Sequence, residues 1–191
     1  MRIGPNLRVA IVLAVVALMS YLTWKVHQEY WRQDCYRTVA SGLLYVVRRA
    51  DDDMLQRFRS RFGNTTLLDL RTDAELAAAP AGNQDRTTVL RLPLEPGRVP
   101  TPADLRRFLD LYANSNNLPL MLYAGPPPDG SQDIRIASLT AAFDHLVAGR
   151  SLDQSLSAAL PDERSPHRAA LREALATAAR SRPAANAGPD P

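Results

Sequence analysis

Cysteine is almost missing from this 191-residue chain: Cys35 stands alone, so no intrachain disulfide can form and thiol chemistry has one candidate at most. Lysine is as scarce. Of 23 basic residues only Lys25 is a lysine, and the arginines are spread along the chain, leaving a net charge of +3 without a basic block. That distribution excludes a nucleic-acid-binding stripe. His27, His145 and His167 have no acidic or cysteine company at ligand spacing, so no metal site is predicted, and no cofactor motif is present.

What the chain does have begins with an apolar run. Val9 to Trp24, VAIVLAVVALMSYLTW, is sixteen residues without a charge, slightly short of a spanning helix but extendable by its flanks. Arg2 and Arg8 precede it, while Tyr21, Trp24, Tyr30 and Trp31 gather at the far end as aromatics do at a membrane interface. The run therefore predicts a single-pass anchor, with the N-terminus cytoplasmic and the rest of the chain on the outer, periplasmic side of a bacterial envelope. A cleaved signal peptide is the competing reading, but SYLTWKVHQEYW offers no small-x-small cleavage site. Just beyond the run, Cys35 is placed to bridge two anchored copies into a dimer, or to remain an unpaired thiol.

The following segments alternate in period. Leu43 to Val47 reads as a short strand. Asp51, Asp52 and Asp53 open a helix that buries Met54, Leu55, Phe58 and Phe62 and ends at Gly63. Thr65 to Leu70 and Thr87 to Leu92 are compact enough for strands buried on both faces. Thr101, Pro102 and Asp104 form a helix entry, with Leu105, Phe108, Leu109 and Tyr112 on the inner face. Leu118 to Tyr123 fits a central strand, and Ile136, Leu139, Phe143, Leu146 and Val147 mark the helix after it. Two further helices, Ser151 to Leu160 and Ser165 to Arg180, each open on a serine, the second with Pro166 at its first position. This alternation predicts an α/β fold, a mainly parallel sheet flanked by helices in three layers. The expected organisation is an anchor and juxtamembrane segment over 1–30, one domain over 36–181, and a disordered tail over 182–191.

YRTVASGLLYVV, the helix after it and TTLLDLRTDAE resemble the opening of the tyrosine and dual-specificity phosphatase superfamily, especially bacterial members, where an "LYRSGQ"-like strand, a helix and a "TVIDLR" strand follow in that order. LRLPLEPGRVPTPADLRRFLDL is similar to the family's acid-loop strand and next helix, and LPLMLYAG to its "VLVHCxAG". The resemblance spans roughly Tyr36 to Leu160. It implies that Tyr123 takes the place of the motif histidine, Ala124 that of the nucleophilic cysteine, and Arg135 that of the phosphate-binding arginine. Glu95 would lie where the general acid sits, and Asp69 and Arg71 would form a polar pair beside the site.

In this chain the family's chemistry is incomplete. A methyl group at Ala124 has no lone pair with which to attack phosphorus. Ten residues separate Ala124 from Arg135, where the signature has five, and Pro126, Pro127 and Pro128 carry no N–H to cradle an anion. Gly125, Gly130, Ser131 and Arg135 remain as anion-binding candidates; alternatively Arg135 is a solvated first-turn side chain. The expected function is a membrane-anchored phosphatase-like domain without catalysis, acting by binding or scaffolding a protein partner or a phosphorylated ligand. One alternative is a phosphatase with a non-standard site, using Asp129, Asp133 or Glu95 as nucleophile. The other is an inactive rhodanese-like domain, since LLDLRTDAE also resembles that family's "LLDVRtxxE" strand.

Overall fold

A computed structural model describes residues 14–25, 36–78, 87–125 and 133–181. Cys35, Tyr30, Trp31, Gly130, Ser131, Asp129, the three prolines 126–128 and the tail from 182 lie outside the described residues. The chain divides into two units, Met1–Arg37 and Thr38–Pro191.

In the first unit, residues 14–25 are helical (α1), and Val15, Val16, Leu18, Met19, Tyr21, Leu22 and Trp24 are all exposed. Among the described residues no helix is long and apolar enough to cross a membrane. The expected span starts at Val9, and residues 9–13 of it lie outside the described residues.

A five-stranded sheet has the order β1-β2-β5-β3-β4: β1 (Tyr36–Ala40), whose first two residues precede the second unit, and, within that unit, β2 (Leu44–Val47), β3 (Thr66–Asp69), β4 (Thr88–Arg91) and β5 (Leu120–Tyr123). The pairs β2–β5, β5–β3 and β3–β4 are parallel, with Leu68 opposite both Leu122 and Leu90 and Asp69 opposite both Tyr123 and Arg91. Each parallel step needs a crossover, which α2 (Asp52–Phe62), α3 (Asp73–Ala78) and α4 (Pro102–Ala113) provide. After β5 come α5 (Ile134–Leu146), α6 (Leu152–Ala159) and α7 (His167–Arg180).

Strand alternation divides the core between the two faces. Leu44, Leu68, Leu70, Leu92, Leu120 and Leu122 join the side chains of α4, α5, α6 and α7 in one cluster. From β2, Tyr45 points to α2 instead, edge-on to Phe58 at 5.0 Å between ring centres and 4.9 Å from Phe62. The result is a mostly parallel sheet with helices on both faces, as the sequence pattern predicts.

Helix α5 is the most deeply buried element beside the sheet. Ten consecutive residues, Ile134 through Phe143, are buried, so α5 has no solvent face in its first three turns. A helix apolar nearly all round belongs to the centre of a domain. The caps agree with local sequence: Asp51 accepts from the Met54 N–H at the start of α2, and Thr101 with Asp104 forms a capping box at α4.

Five elements differ from expectation. β4 is an edge strand with none of Thr88–Arg91 buried, not the strand buried on both faces that its leucine run predicts. Val147, expected on the inner face of α5, caps that helix and is exposed. β1 is a strand although RTVA has no apolar run, because an edge strand draws its order from its neighbour's backbone. α3 is a helix that the apolar pattern does not reveal, since none of its residues is buried. At α7 Pro166 occupies the cap position and no side chain caps the helix, so Ser165 does not play the cap role expected of it.

Candidate functional site

Parallel strands bring their carboxyl ends to one edge, where the crossing loops gather and where open α/β sheets place ligands. Here that edge collects Asp69, Leu70 and Arg71 after β3, Leu92 to Leu94 after β4, Ala124 and Gly125 after β5, and the first turn of α5. Backbone bonds continue the ladder past the strands: the Leu70 N–H donates to the Tyr123 carbonyl at 2.8 Å and the Leu94 N–H to the Leu70 carbonyl at 3.0 Å. The loops are thereby held close together at the point where Arg135 enters.

Arg135 is 2% exposed, so it is not a solvated first-turn side chain. Its guanidinium has five N–H donors, and groups of this chain meet every nitrogen. Nε contacts both carboxylate oxygens of Asp133 at 3.0 and 3.1 Å, and Nη2 donates to Asp133 Oδ2 at 2.7 Å and to the Ala124 carbonyl at 2.9 Å. Nη1 donates to Glu75 Oε2 at 2.8 Å and to the Leu94 carbonyl at 3.2 Å. One side chain thus ties α3, the loop after β4, the end of β5 and the cap of α5 together. Burial alone would lower the Arg135 pKa, but the hydrogen bonds and charges of Asp133 and Glu75 outweigh it and hold the guanidinium firmly protonated.

Asp133 has two jobs. Its Oδ1 accepts the Arg135 backbone N–H at 2.8 Å, capping α5, while its two oxygens grip the Arg135 side chain. The same arrangement occurs at Asp69-Leu70-Arg71: Asp69 Oδ1 accepts from the Arg71 backbone at 3.0 Å and from Nε at 3.0 Å, and Oδ2 accepts from Nη2 at 2.7 Å. This is the polar pair the resemblance implies, buried with Asp69 at 2% and Arg71 at 4% exposure. The hydrogen bond from Arg71 to Asp69 raises the arginine pKa despite its burial. Its guanidinium also lies 4.9 Å from the centre of the Tyr123 ring. Burial pushes the Tyr123 phenol upward, so at neutral pH it is an uncharged ring wall.

Glu75 reaches Arg135 from α3. Thr72 and Glu75 bond reciprocally, with the Thr72 N–H donating to Glu75 Oε2 at 2.8 Å and the Glu75 N–H to Thr72 Oγ1 at 3.3 Å. Burial would raise the Glu75 carboxyl, but the Arg135 and Thr72 hydrogen bonds hold it below the usual carboxylate range. The cluster therefore carries two positive side chains, Arg71 and Arg135, against three negative ones, Asp69, Asp133 and Glu75.

Of the residues singled out in the sequence, the structure brings Ala124, Gly125 and Arg135 together. Ala124 is 4% exposed at the end of β5. Gly125 follows at φ +83, and a Cβ there would meet the Arg71 side chain at 3.5 Å. Glu95 sits one residue past Leu94, but it is an exposed residue whose backbone carbonyl accepts from the Arg98 N–H. His145 is half-buried at the far end of α5, its Nδ1 2.9 Å from the Arg150 carbonyl. Among the described residues no cluster of His, Cys, Asp or Glu could hold a metal. Asp133, weighed in the sequence only as a substitute nucleophile, has both oxygens committed to Arg135. Sequence reasoning misses Glu75 altogether, although Thr72-x-x-Glu75 is a capping-box signature that announces both α3 and this carboxylate.

The fold is that of the cysteine-dependent tyrosine and dual-specificity phosphatases, a class of α/β domains with a mostly parallel sheet flanked by helices. Solved structures similar to this chain include PTPMT1 in complex with PI(5)P, at a TM-score of 0.58 and 17% identity over 77% of this chain and 98% of that one. A variant of human DUSP28 matches at 0.52 and 18% identity, covering 76% and 97% of the two chains. The core catalytic domain of the PP-IP phosphatase SIW14 from S. cerevisiae, in complex with citrate, matches at 0.53 and 15% identity, covering 73% and 84%. No protein-family model matches the chain. No curated protein matches it either. The likeness in fold is to phosphatases, which favours that reading of LLDLRTDAE over the rhodanese-like one.

Proposed function

We propose that this protein is a membrane-anchored, phosphatase-like domain that does not hydrolyse phosphate esters and acts by binding or scaffolding a partner. The observation that carries the reading is Ala124. A buried methyl group stands directly after the central strand, where the resemblance implies a nucleophile. No carboxylate among the described residues replaces it, because Asp133 is engaged on both oxygens and Glu95 lies on an exposed loop. A carboxylate nucleophile would also need a free cationic cradle for the phosphate.

The anchoring half rests on the uncharged run from Val9 to Trp24 and on the exposure of the apolar side chains of α1. Large apolar side chains exposed along a whole helix mark a surface meant for an apolar environment. The reading puts the domain on the outer side, with Cys35 available to bridge two copies.

Turnover of p-nitrophenyl phosphate by the full-length protein tests the first half. The expected rate is that of buffer alone; turnover that scales with protein and falls on Arg135→Ala substitution sinks the reading. For the second half, alkaline carbonate extraction is expected to leave the full-length chain with the membranes and to release a chain beginning at Tyr36. A full-length chain recovered in the supernatant refutes the anchor.

A further inference from the structure

Arginine grips a phosphate best through its Nε–Nη2 edge, where two parallel N–H bonds meet two oxygens of the anion. In Arg135 that edge is already taken. Asp133 lays its two carboxylate oxygens along it, at 3.0 Å from Nε and 2.7 Å from Nη2, in the fork geometry that two phosphate oxygens would adopt. Glu75 fills Nη1 from another element, and the Leu94 and Ala124 carbonyls accept the remaining donors. The neighbouring arginine, Arg71, is gripped in the same way by Asp69, again two residues upstream.

We infer that Asp133 is a built-in surrogate for the anion: together with Glu75 it closes the Arg135 site to oxyanions, and removing the two negative charges opens it. The latch is short-range and self-supporting. Asp133 is fixed by capping α5 and Glu75 by its reciprocal bonds with Thr72, so neither carboxylate swings away without breaking a helix start. An arriving phosphate must displace two held carboxylates and enter a cluster whose negative side chains outnumber its positive ones. Phosphorylated compounds are therefore disfavoured at this site. The inference rests on the phosphatase-like reading of the frame, but not on the absence of turnover, and the two fail separately: ester hydrolysis tests one and phosphate binding the other.

The test is titration of the full-length protein with inorganic phosphate, followed through the Arg135 Nε–H resonance in NMR spectra assigned with an Arg135→Lys variant. In the wild type the resonance is expected to stay put. In Asp133→Asn/Glu75→Gln, which keeps an N-cap-competent side chain at 133, it is expected to shift saturably, with phosphate bound at least about tenfold more tightly than by the wild type. That gain should vanish when Arg135→Lys is added. Wild-type binding as tight as the variant's, a folded double variant that binds no better, or a gain that survives Arg135→Lys each overturns the inference. Should the double variant fail to fold, the wild type decides alone: a latched guanidinium gives a slowly exchanging Nε–H, and rapid exchange with solvent overturns it.

Discussion

Replacing Arg135 with alanine tests the central structural claim, that this side chain is a knot between four segments and not a surface residue. The substitution removes every donor at once and leaves two carboxylates and two carbonyls behind. Removing one partner of a buried ion pair costs about 3–5 kcal/mol, because the partner's charge is left uncompensated. Asp133 and Glu75 keep 15% and 29% side-chain exposure, so water recovers part of their solvation and places that contribution in the lower half of the range. The orphaned carbonyls of Leu94 and Ala124, both in residues 4% exposed, add to it at about 1–3 kcal/mol each, though not additively. A loss of about 3–5 kcal/mol results, or a fall in Tm of roughly 6–20 °C for a domain of this size. The assay is urea unfolding of the purified full-length protein followed by circular dichroism, with Arg172→Ala as the reference. Arg172 pairs with Asp153 where both side chains are about half exposed or more, a pair expected to contribute about 0–1 kcal/mol. Neutralising both carboxylates, as Asp133→Asn and Glu75→Gln, should recover part of the loss in the Arg135→Ala background, since the sites touch and couple by about 0.5–3 kcal/mol. If Arg135→Ala costs no more than Arg172→Ala, the knot does not exist in solution.

Acid should expose the same contacts. Because the Glu75 carboxyl is held below its ordinary value, the stability it contributes is fully present above the unfolded glutamate value, about 4.3, and is lost as pH falls through the lower folded value. Chemical denaturation across that window should show a shallower decline for Glu75→Gln than for the wild type; parallel curves would contradict the assignment. Gly125→Ala places a Cβ at φ +83, a backbone region costing an L-residue about 1–2 kcal/mol, while the 3.5 Å approach to Arg71 is ordinary contact. Its midpoint in urea should drop accordingly, and an unchanged midpoint would mean that the loop does not hold this conformation. Ala124→Cys places a thiol at the end of β5, yet with Arg135 committed to Asp133 and Glu75 it should yield no p-nitrophenyl phosphate turnover. Appearance of turnover in that variant would falsify the view that Arg135 is closed to phosphate.

Sequence and structure agree where a pattern is carried by burial on a regular period. The β3 and β5 runs and the α2 and α4 entries are legible because each shows its own pattern, and the alternation of strands with helices implies a parallel sheet; the β4 run locates a strand but not its exposed edge, and the α5 stripe locates a helix but not its burial on every side. Elements whose order comes from elsewhere are not. β1 is supported by β2, and α3 is only six residues long with none of them buried, so neither displays an apolar signature. The site is half legible. Position identifies Ala124 and Arg135, but whether an arginine faces solvent, an anion or a carboxylate depends on partners distant in sequence. Glu75 lies 60 residues from Arg135, and no local window connects them.

Asp133 shows how a local signal can be present and still be misread. An aspartate two residues before an arginine at a helix start fits an N-cap, a role the sequence reading did not give Asp133 and the structure does. What the pattern omits is that the arginine here has no route to water, because the ten residues from Ile134 onward are buried. Once burial forbids solvation, the guanidinium must find acceptors within reach, and Asp133 is the nearest carboxylate that can meet two of its nitrogens. The same bracket recurs at Asp69 and Arg71, where β3 ends opposite the last residue of β5, and it follows from the same constraint. A frame that keeps both arginines indoors must supply them with acids of its own, and those acids stand in the way of any phosphate.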